Sequence, residues 1–518
     1  MDHGIGHWVT RQAFLAGDRA ALISGERVIT YAELDARTSA LARALAGLGV
    51  RRFDRVALLA PNSPEFLETL FACAKLGAIC VPVNFRLGAS EVAYILTDSG
   101  ADVLVTHAAF AETAHGALAY PGIRVRHTLV VGDLPADHAL PHLPYADVLA
   151  AGNATTLEMA VDESDVHAIM YTSGTTGRPK GAMLTHANTI ANARNAVMMG
   201  RGLNAEDVTV TAAPMFHIGG LGVHSLPFVY VGATNVIQAA FDPAELPALM
   251  ARHRVTVQFL VPAMWAAVMR VPGFDDHDLS TLKLAVSGGA PTPLTVIDFF
   301  QARGIPFQEG FGMTETAPAV SMLDAEHVKA KAGSIGRPLF HVEARIVDDD
   351  DRDRPAGTVG ELVLRGANIF AGYWMLPEET AEAFRGGWFH TGDLGRMDAE
   401  GFITLVDRKK DMIITGGENV YPIEVEQVLH RYAGVAEAAV IGVPDDRWGE
   451  SVTAVVVLEP GATAGADDLI AHTRANLAHF KCPRRVEFTD ALPRNATGKI
   501  LKTNLRRTYA GTEAGFTR

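Results

Sequence analysis

The sequence predicts an α/β fold, helices packed on a largely parallel sheet, with a small further domain at the carboxyl end. Three observations carry that prediction. Short apolar runs alternate with segments of helical period through most of the chain. Several of those runs end directly in turns rich in Gly, Ser and Thr. A charged interruption, DRKKD at 407–411, parts a strand-like GFITLV from the apolar MIITGG and leaves a unit of about a hundred residues, the size of a small domain.

Taken in order, RVALLA at 55–60 reads as a strand. Pro64 then stands where a first helical residue belongs, and Phe66, Leu67, Leu70, Phe71 and Ala74 recur at three- and four-residue spacing before Gly77 stops the helix. Strands follow at 79–83, 103–106, 166–172, 257–261, 284–287 and 305–308. The stretch 208–241 lacks Asp, Glu, Lys and Arg, yet Pro214, His217, Gly219, Gly220, His224 and Pro227 interrupt it, so it is read as buried strands and turns, with no integral membrane segment. DDDDRDR at 348–354 predicts a solvated hairpin tip, since adjacent carboxylates point apart and cannot all face one ion. Beyond 407–411 come helices at 423–432 and 467–480 and strands at 435–443 and 451–458.

The 518 residues are 48% hydrophobic and 20% charged, enough to bury a large core without disulfides, and the formal charge of -14 argues against a nucleic-acid partner. The basic charge is concentrated late: residues 481–518 hold nine Lys/Arg against three Asp/Glu, a local +6 that leaves -20 for residues 1–480. Cys73, Cys80 and Cys482 form no CxxC pair, and Asp2, Arg11, Asp18 and Arg19 break any signal-peptide core, so a reducing, cytoplasmic location is expected. Cys482, among Lys481, Arg484 and Arg485, could have a lowered thiol pKa. His3/His7 and His472/His479 lack an HExxH context for zinc.

The densest chemical signal is YTSGTTGRPKG at 171–181, directly after a strand. Glycines and small hydroxyl residues let successive backbone N–H groups turn toward one anion, and a lysine closes the cradle. Thr172, Ser173, Gly174, Thr175, Thr176, Gly177 and Lys180 are therefore a candidate phosphate loop, although not of Walker A spacing. EGFGMTE at 309–315 sets Thr314, a hydroxyl suited to a phosphate oxygen, beside Glu315, a carboxylate suited to Mg²⁺. A helix cap is the competing role for Glu315, and an ordinary Gly/Thr turn the competing reading of the loop.

YTSGTTGRPKG resembles the signature of the adenylate-forming superfamily, which includes acyl-CoA synthetases, adenylation domains of peptide synthetases and firefly-type luciferases. Further matching segments follow in the family's order: PMFHIGG (214–220), SGGAP (287–291), EGFGMTE, WFHTGD (388–393), DRKKDMIITGGENVYP (407–422) and PRNATGKI (493–500). The resemblance implies a large N-terminal domain of layered α/β subdomains, 1–409, and a small mobile C-terminal α+β domain, 410–518, hinged at 407–411 on Lys410. It implies ATP bound by the phosphate loop, by Gly289, Ala290 and Pro291 facing the adenine, and by Gly310, Phe311, Gly312, Met313 and Thr314. Phe311 stands where the family most often has tyrosine, which keeps the stacking face and loses the hydroxyl. Asp393 and Arg408 match the ribose pair and Glu315 the magnesium ligand.

Lys499 matches the catalytic lysine of adenylation, with Glu315, Thr175 and His217 also placed at the reacting groups. By the same resemblance His217, Gly219, Gly220, Ser287 and Gly288 border the acyl group, and coenzyme A is expected at Gly416, Gly417, Trp448, Lys481 and Arg484. The implied reaction is an ATP-dependent acyl-CoA ligation of a hydrophobic fatty, aryl or bulky alicyclic acid. A free-standing enzyme loading an acyl group onto a carrier protein is the alternative; Phe216-His217-Ile218, where amino-acid-activating members carry an aspartate, favours the CoA ligase. A luciferase-like oxygenase and a binding protein without turnover are the remaining readings. The small-molecule acid, ATP and CoA are the expected partners, and a homodimer is the default assembly.

Overall fold

The strand at 55–60 and the helix after it form as Arg55–Leu59 and Pro64–Leu76 in the computed structural model, which describes residues 4–509 apart from 136, 156–158, 173–177, 201, 410, 416–417, 446 and 495–499. The helix is bounded as its sequence dictates. The Ser63 hydroxyl accepts from the Phe66 N–H at 3.2 Å, Pro64 fills the first turn, and Gly77 ends it at φ 71°, a left-handed position that glycine takes without strain. Almost every side chain of this helix is buried, including Glu68, whose carboxylate takes two bonds from Arg37 at 2.6 and 3.0 Å and one from the Tyr145 hydroxyl at 3.0 Å. A buried charge persists when paired in this way.

By contact density the chain divides into two units, Met1–Ala344 with Leu364–Phe389, and Arg345–Val363 with His390–Arg518. The 409/410 boundary expected from the sequence falls inside the second unit.

Among the described residues, three sheets lie wholly in the first unit. In an eight-stranded one, Ile79–Pro82, Arg55–Leu59, Val103–His107 and His127–Val131 run parallel, as the alternating pattern predicts. Val166–Thr172 continues it beside Ile79–Pro82, and Lys180–Thr185 returns antiparallel, pairing Thr172 with Lys180 across the loop between them. A five-stranded sheet places Val257–Leu260, Leu284–Gly288 and Phe307–Gly312 parallel, with Ala319–Leu323 antiparallel beside the last. The strand expected at 305–308 thus starts later and runs into the glycines. The third sheet has Val208–Thr211 and Thr234–Ile237 parallel to Ala20–Ser24.

Between Val208–Thr211 and Thr234–Ile237 the reading of 208–241 as strands and turns needs correction, because Ile218–Gly220, Leu221–Ser225 and Leu226–Val231 are helical. Pro227 lies in the last of these, two residues after the π-turn Leu221–Ser225. Among the described residues no helix is long and apolar enough to cross a membrane.

In the second unit Val435–Asp445 and Gly449–Leu458 form a long hairpin, joined by Ile413–Thr415, Glu418–Val420 and, in parallel, Arg485–Phe488. Pro422–Leu429 and Ala466–Asn476 cover it through Val425, Leu429 and Leu469 against Val440, Val452 and Ala454. At 348–354 the chain makes a tight turn, with Asp348 N–H donating to the Arg352 carbonyl at 2.9 Å and Asp350 pairing with Arg352 at 2.7 Å. No cluster of three metal-ligating side chains occurs there or elsewhere among the described residues.

Candidate active site

Glu315 lies in the one-turn helix Thr314–Thr316 and is 7% exposed. Its Oε1 accepts from the Tyr373 hydroxyl at 3.2 Å and lies 3.5 Å from the Thr172 hydroxyl, at the last residue before the phosphate-loop segment 173–177. Gly372–Tyr373 delivers that hydroxyl by pairing with Lys180–Thr185, and Lys180 Nζ sits 5.3 Å from the centre of the Tyr373 ring. The Phe370 N–H also donates to the Glu315 carbonyl at 2.9 Å. Thr172, Lys180 and Glu315, which the sequence separates widely, are thereby brought together. Tyr373 is a member of this group that sequence reasoning missed; its aromatic hydroxyl in GYW follows no loop motif and carried no signal of its own. Ser173, Gly174, Thr175, Thr176 and Gly177 lie outside the described residues.

Glu315 turns inward because Gly312 lets the chain fold back. A Cβ at Gly312 would fall 2.0 Å from the Pro318 carbonyl oxygen, and the Met313 N–H donates to that same carbonyl at 3.1 Å. Asn368 fastens the other side through its amide to the Thr316 and Ala319 carbonyls, each at 2.9 Å. Met313 and Thr314 are left half-buried at the open end of the strand.

Beside this turn, the parallel register pairs Ser287 with Glu309 and Gly288 with Gly310. Phe311, half-buried, comes one residue past the glycine pair, level with Gly289, which has φ 90°. Gly289, Ala290 and Pro291 are exposed, so a planar group has access to the backbone of that loop. The loop is held by Glu309, whose Oε1 accepts from the Thr292 N–H at 2.7 Å, while the Thr292 hydroxyl bonds Ser287 Oγ at 2.8 Å. Burial pushes the Glu309 carboxyl up from its usual range. Ser287 is fully buried and accepts the Thr292 hydroxyl, which fastens the loop to the strand end.

His217 follows the turn Pro214–His217, closed by its own N–H to the Pro214 carbonyl at 3.1 Å. Gly220 is required there, since a Cβ would meet the Pro214 oxygen at 2.2 Å, and Gly219 lies at ordinary contact from Phe259. The His217 ring packs 4.3 Å from Phe216, which meets Phe85 edge-on at 5.0 Å. Burial, and then the nearby Arg86 charge, hold the imidazole down to about 4, so it is neutral at pH 7. Its Nε2 is buried and has no hydrogen-bond partner among the described residues.

The second unit carries the other expected residues. Asp393, 4% exposed, is the direct antiparallel partner of Arg408, so the two residues expected at the ribose share one rung of a ladder; the Arg408 side chain lies outside the described residues. Trp448 has Arg484 at 4.2 Å and Arg447 at 4.8 Å from its ring centre, a cation–π stack on the exposed end of the long hairpin. Lys481 is spoken for by both oxygens of Glu424, each at 2.8 Å. For Cys482 the lowered pKa that its basic neighbours suggested is reversed: the residue is 4% exposed and burial raises its thiol. Lys410, Gly416, Gly417 and Lys499 lie outside the described residues.

These donors fit a nucleotide better than a resident metal. A lone buried carboxylate ringed by hydroxyls suits magnesium that arrives with phosphates, because Mg²⁺ keeps one or two carboxylates and takes its remaining oxygens from substrate and water.

Two family models match the chain: the AMP-binding enzyme model over residues 9–374 and the AMP-binding enzyme C-terminal domain model over residues 424–499. A feruloyl-CoA synthase of an Amycolatopsis species is 44% identical over 98% of this chain and 99% of its own. A long-chain-fatty-acid–CoA ligase of Mycobacterium tuberculosis is 37% identical over 98% of each chain. Among solved structures, ATP-bound MatB from Rhodopseudomonas palustris aligns with a TM-score of 0.88 at 33% identity, covering 99% of both chains. The chain belongs to the AMP-binding enzyme family and has the adenylate-forming fold. It is an AMP-forming acid–thiol ligase of the acyl-CoA synthetase type, which uses ATP and coenzyme A on a small-molecule carboxylic acid.

Proposed function

We propose that the acid is hydrophobic, fatty, aryl or bulky alicyclic, with a hydroxycinnamate first in order. The observation that carries this reading is the buried, neutral His217 with an open Nε2 among Phe216 and Phe85, a single polar atom in aromatic surroundings. Similarity to a feruloyl-CoA synthase supports the aryl member of the class.

In the first step a carboxylate oxygen attacks the α-phosphorus of ATP, the bond to pyrophosphate breaks, and acyl-AMP forms. In the second, the CoA thiolate attacks the acyl carbon and AMP leaves. Thr172 to Gly177 and Lys180 hold the phosphates, Thr314 faces the α-phosphate, and Gly289 to Pro291 with Phe311 take the adenine. Asp393 and Arg408 bind the ribose, and Lys499 and Thr175 meet the charge that develops on the transferred phosphate. Magnesium held by Glu315 supplies charge neutralisation at the phosphates when bound. Residues 407–411, with Lys410, serve as the pivot between domains 1–409 and 410–518. CoA lies against Gly416, Gly417, Trp448 and Arg484, and Lys481 takes part after exchanging Glu424 for a phosphate. A homodimer in the cytoplasm is the proposed state.

Pyrophosphate release measured over ferulate, palmitate, benzoate and cyclohexanecarboxylate, with and without CoA, tests the reading. Release with ferulate that becomes continuous only when CoA is added is the expected result. Greater release with acetate or malonate, run beside these four acids, would overturn the hydrophobic assignment.

A further inference from the structure

Asn62 follows the strand Arg55–Leu59, is 3% exposed, and lies where the carboxyl ends of strands from two sheets meet. Its Nδ2 is 3.2 Å from the Thr211 carbonyl, 3.0 Å from Ala213 and 3.2 Å from Gln238, while its Oδ1 accepts from the Met215 N–H at 2.8 Å. Thr211 closes the strand Val208–Thr211 and Gln238 directly follows Thr234–Ile237. An amide offers two donor hydrogens and an acceptor on one planar group, so one side chain satisfies carbonyls from two strands and the N–H of the turn between them. No other residue type of this size does both.

The clamp acts on the chain that turns into His217. Met215 and Ala213 flank Pro214, the first residue of the turn that His217 closes, and Gly220 lies against the Pro214 carbonyl, whose oxygen an added Cβ would meet at 2.2 Å. The turn is therefore gripped at its entry by Asn62 and at its exit by the helix start, and the His217 ring has little freedom left apart from its own side-chain torsions. Ligands of open α/β sheets bind outside the carboxyl ends of strands, which is where Asn62 works.

We propose that Asn62 is a positioning residue for the acid substrate: it orients the turn 214–217 so that His217 Nε2 meets the carboxylate. This rests on the reading of His217 as a neighbour of the acid. Among the described residues the hydrogen bonds of Asn62 go to Thr211, Ala213, Gln238 and Met215, and none to the Glu315 group or the 287–292 loop, so its effect is expected on the acid and not on ATP.

The test is steady-state kinetics with ferulate, or with the acid of greatest pyrophosphate release in the panel above, on Asn62→Ala, Asn62→Asp, His217→Ala and the double variant Asn62→Ala/His217→Ala. Asn62→Asp keeps the acceptor for Met215 and loses both donors. Lys75→Met is the stability control, since it breaks the buried pair of Lys75 and Asp35 (2.5 Å) near the far end of the helix Pro64–Leu76. Each Asn62 variant is expected to raise KM for the acid about tenfold and leave KM for ATP within about twofold, with the double variant no worse than His217→Ala alone. Lys75→Met lowers Tm and leaves both KM values in place.

Additive losses in the double variant, or equal shifts in both KM values, overturn the proposal. An unchanged acid KM in His217→Ala sinks the reading of the acyl site itself, a separate outcome. Asn62→Ser replaces the alanine variant if that chain does not fold, and failure of both to fold assigns Asn62 to the fold alone.

Discussion

Glu315 illustrates how little of a site one residue holds. Its carboxylate is useful because the Tyr373 hydroxyl and the Thr172 side chain converge on the same oxygen, from segments 58 and 143 residues away in sequence. Tyr373→Phe removes one hydrogen bond to a charged acceptor and keeps the ring under Lys180 and against Phe370. Such a bond contributes about 1.5–3 kcal/mol to the fold around Glu315, so Tm is expected to fall and the Kd of MgATP, read by calorimetry, to rise up to about tenfold as the carboxylate loses its orientation. An unaltered Kd would separate Tyr373 from the nucleotide. At this scale the sequence was legible for Thr172, Lys180, Glu315 and His217, which sit in loop motifs, and silent for Tyr373 and Asn62, whose importance comes from partners that only folding supplies.

At the scale of the element, the glycines decide where the functional turns go. Gly312 sits 2.0 Å, measured from its would-be Cβ, from a backbone oxygen that cannot swing aside as a flexible side chain would. Gly312→Ala is therefore expected to lower stability by about 1–3 kcal/mol and to weaken ATP binding at the same time, measured by thermal melting and by KM for ATP. A melting temperature equal to that of the natural chain would show that the strand end can shift without cost. Elements with strong local signals formed as read: Pro64–Leu76 had a capping serine, a first-turn proline and a terminal glycine, and Val166–Thr172 had its loop. The stretch 208–241 was misread because an apolar run buried on all sides has no periodicity to separate a short helix from a strand.

For the whole molecule, one charge property follows from the core. Burial holds His186 and His217 down to about 4 and His224 to about 3, and keeps His167, stacked on His186 at 5.1 Å, well below its usual value. The unfolded chain takes up these protons near pH 6.5 and the folded one only near 4, so stability is complete above pH 6.5 and falls as pH drops toward 4. By pH 5 each such group costs about 2 kcal/mol, and Tm is expected to fall steeply between pH 6.5 and 5; a Tm constant over that window would mean that these imidazoles reach water. The sequence by itself determined the α/β class and the family, and it supplied the residues proposed to meet ATP, because phosphate loops and strand-end glycines are local patterns with local causes. It could not show that Ser287 accepts from Thr292, that Lys481 is paired with Glu424, that burial raises the Cys482 thiol, or that Asn62 grips the turn before His217. Those depend on which groups tertiary folding brings within about 3 Å of one another and removes from water, and spacing along the chain carries no record of that.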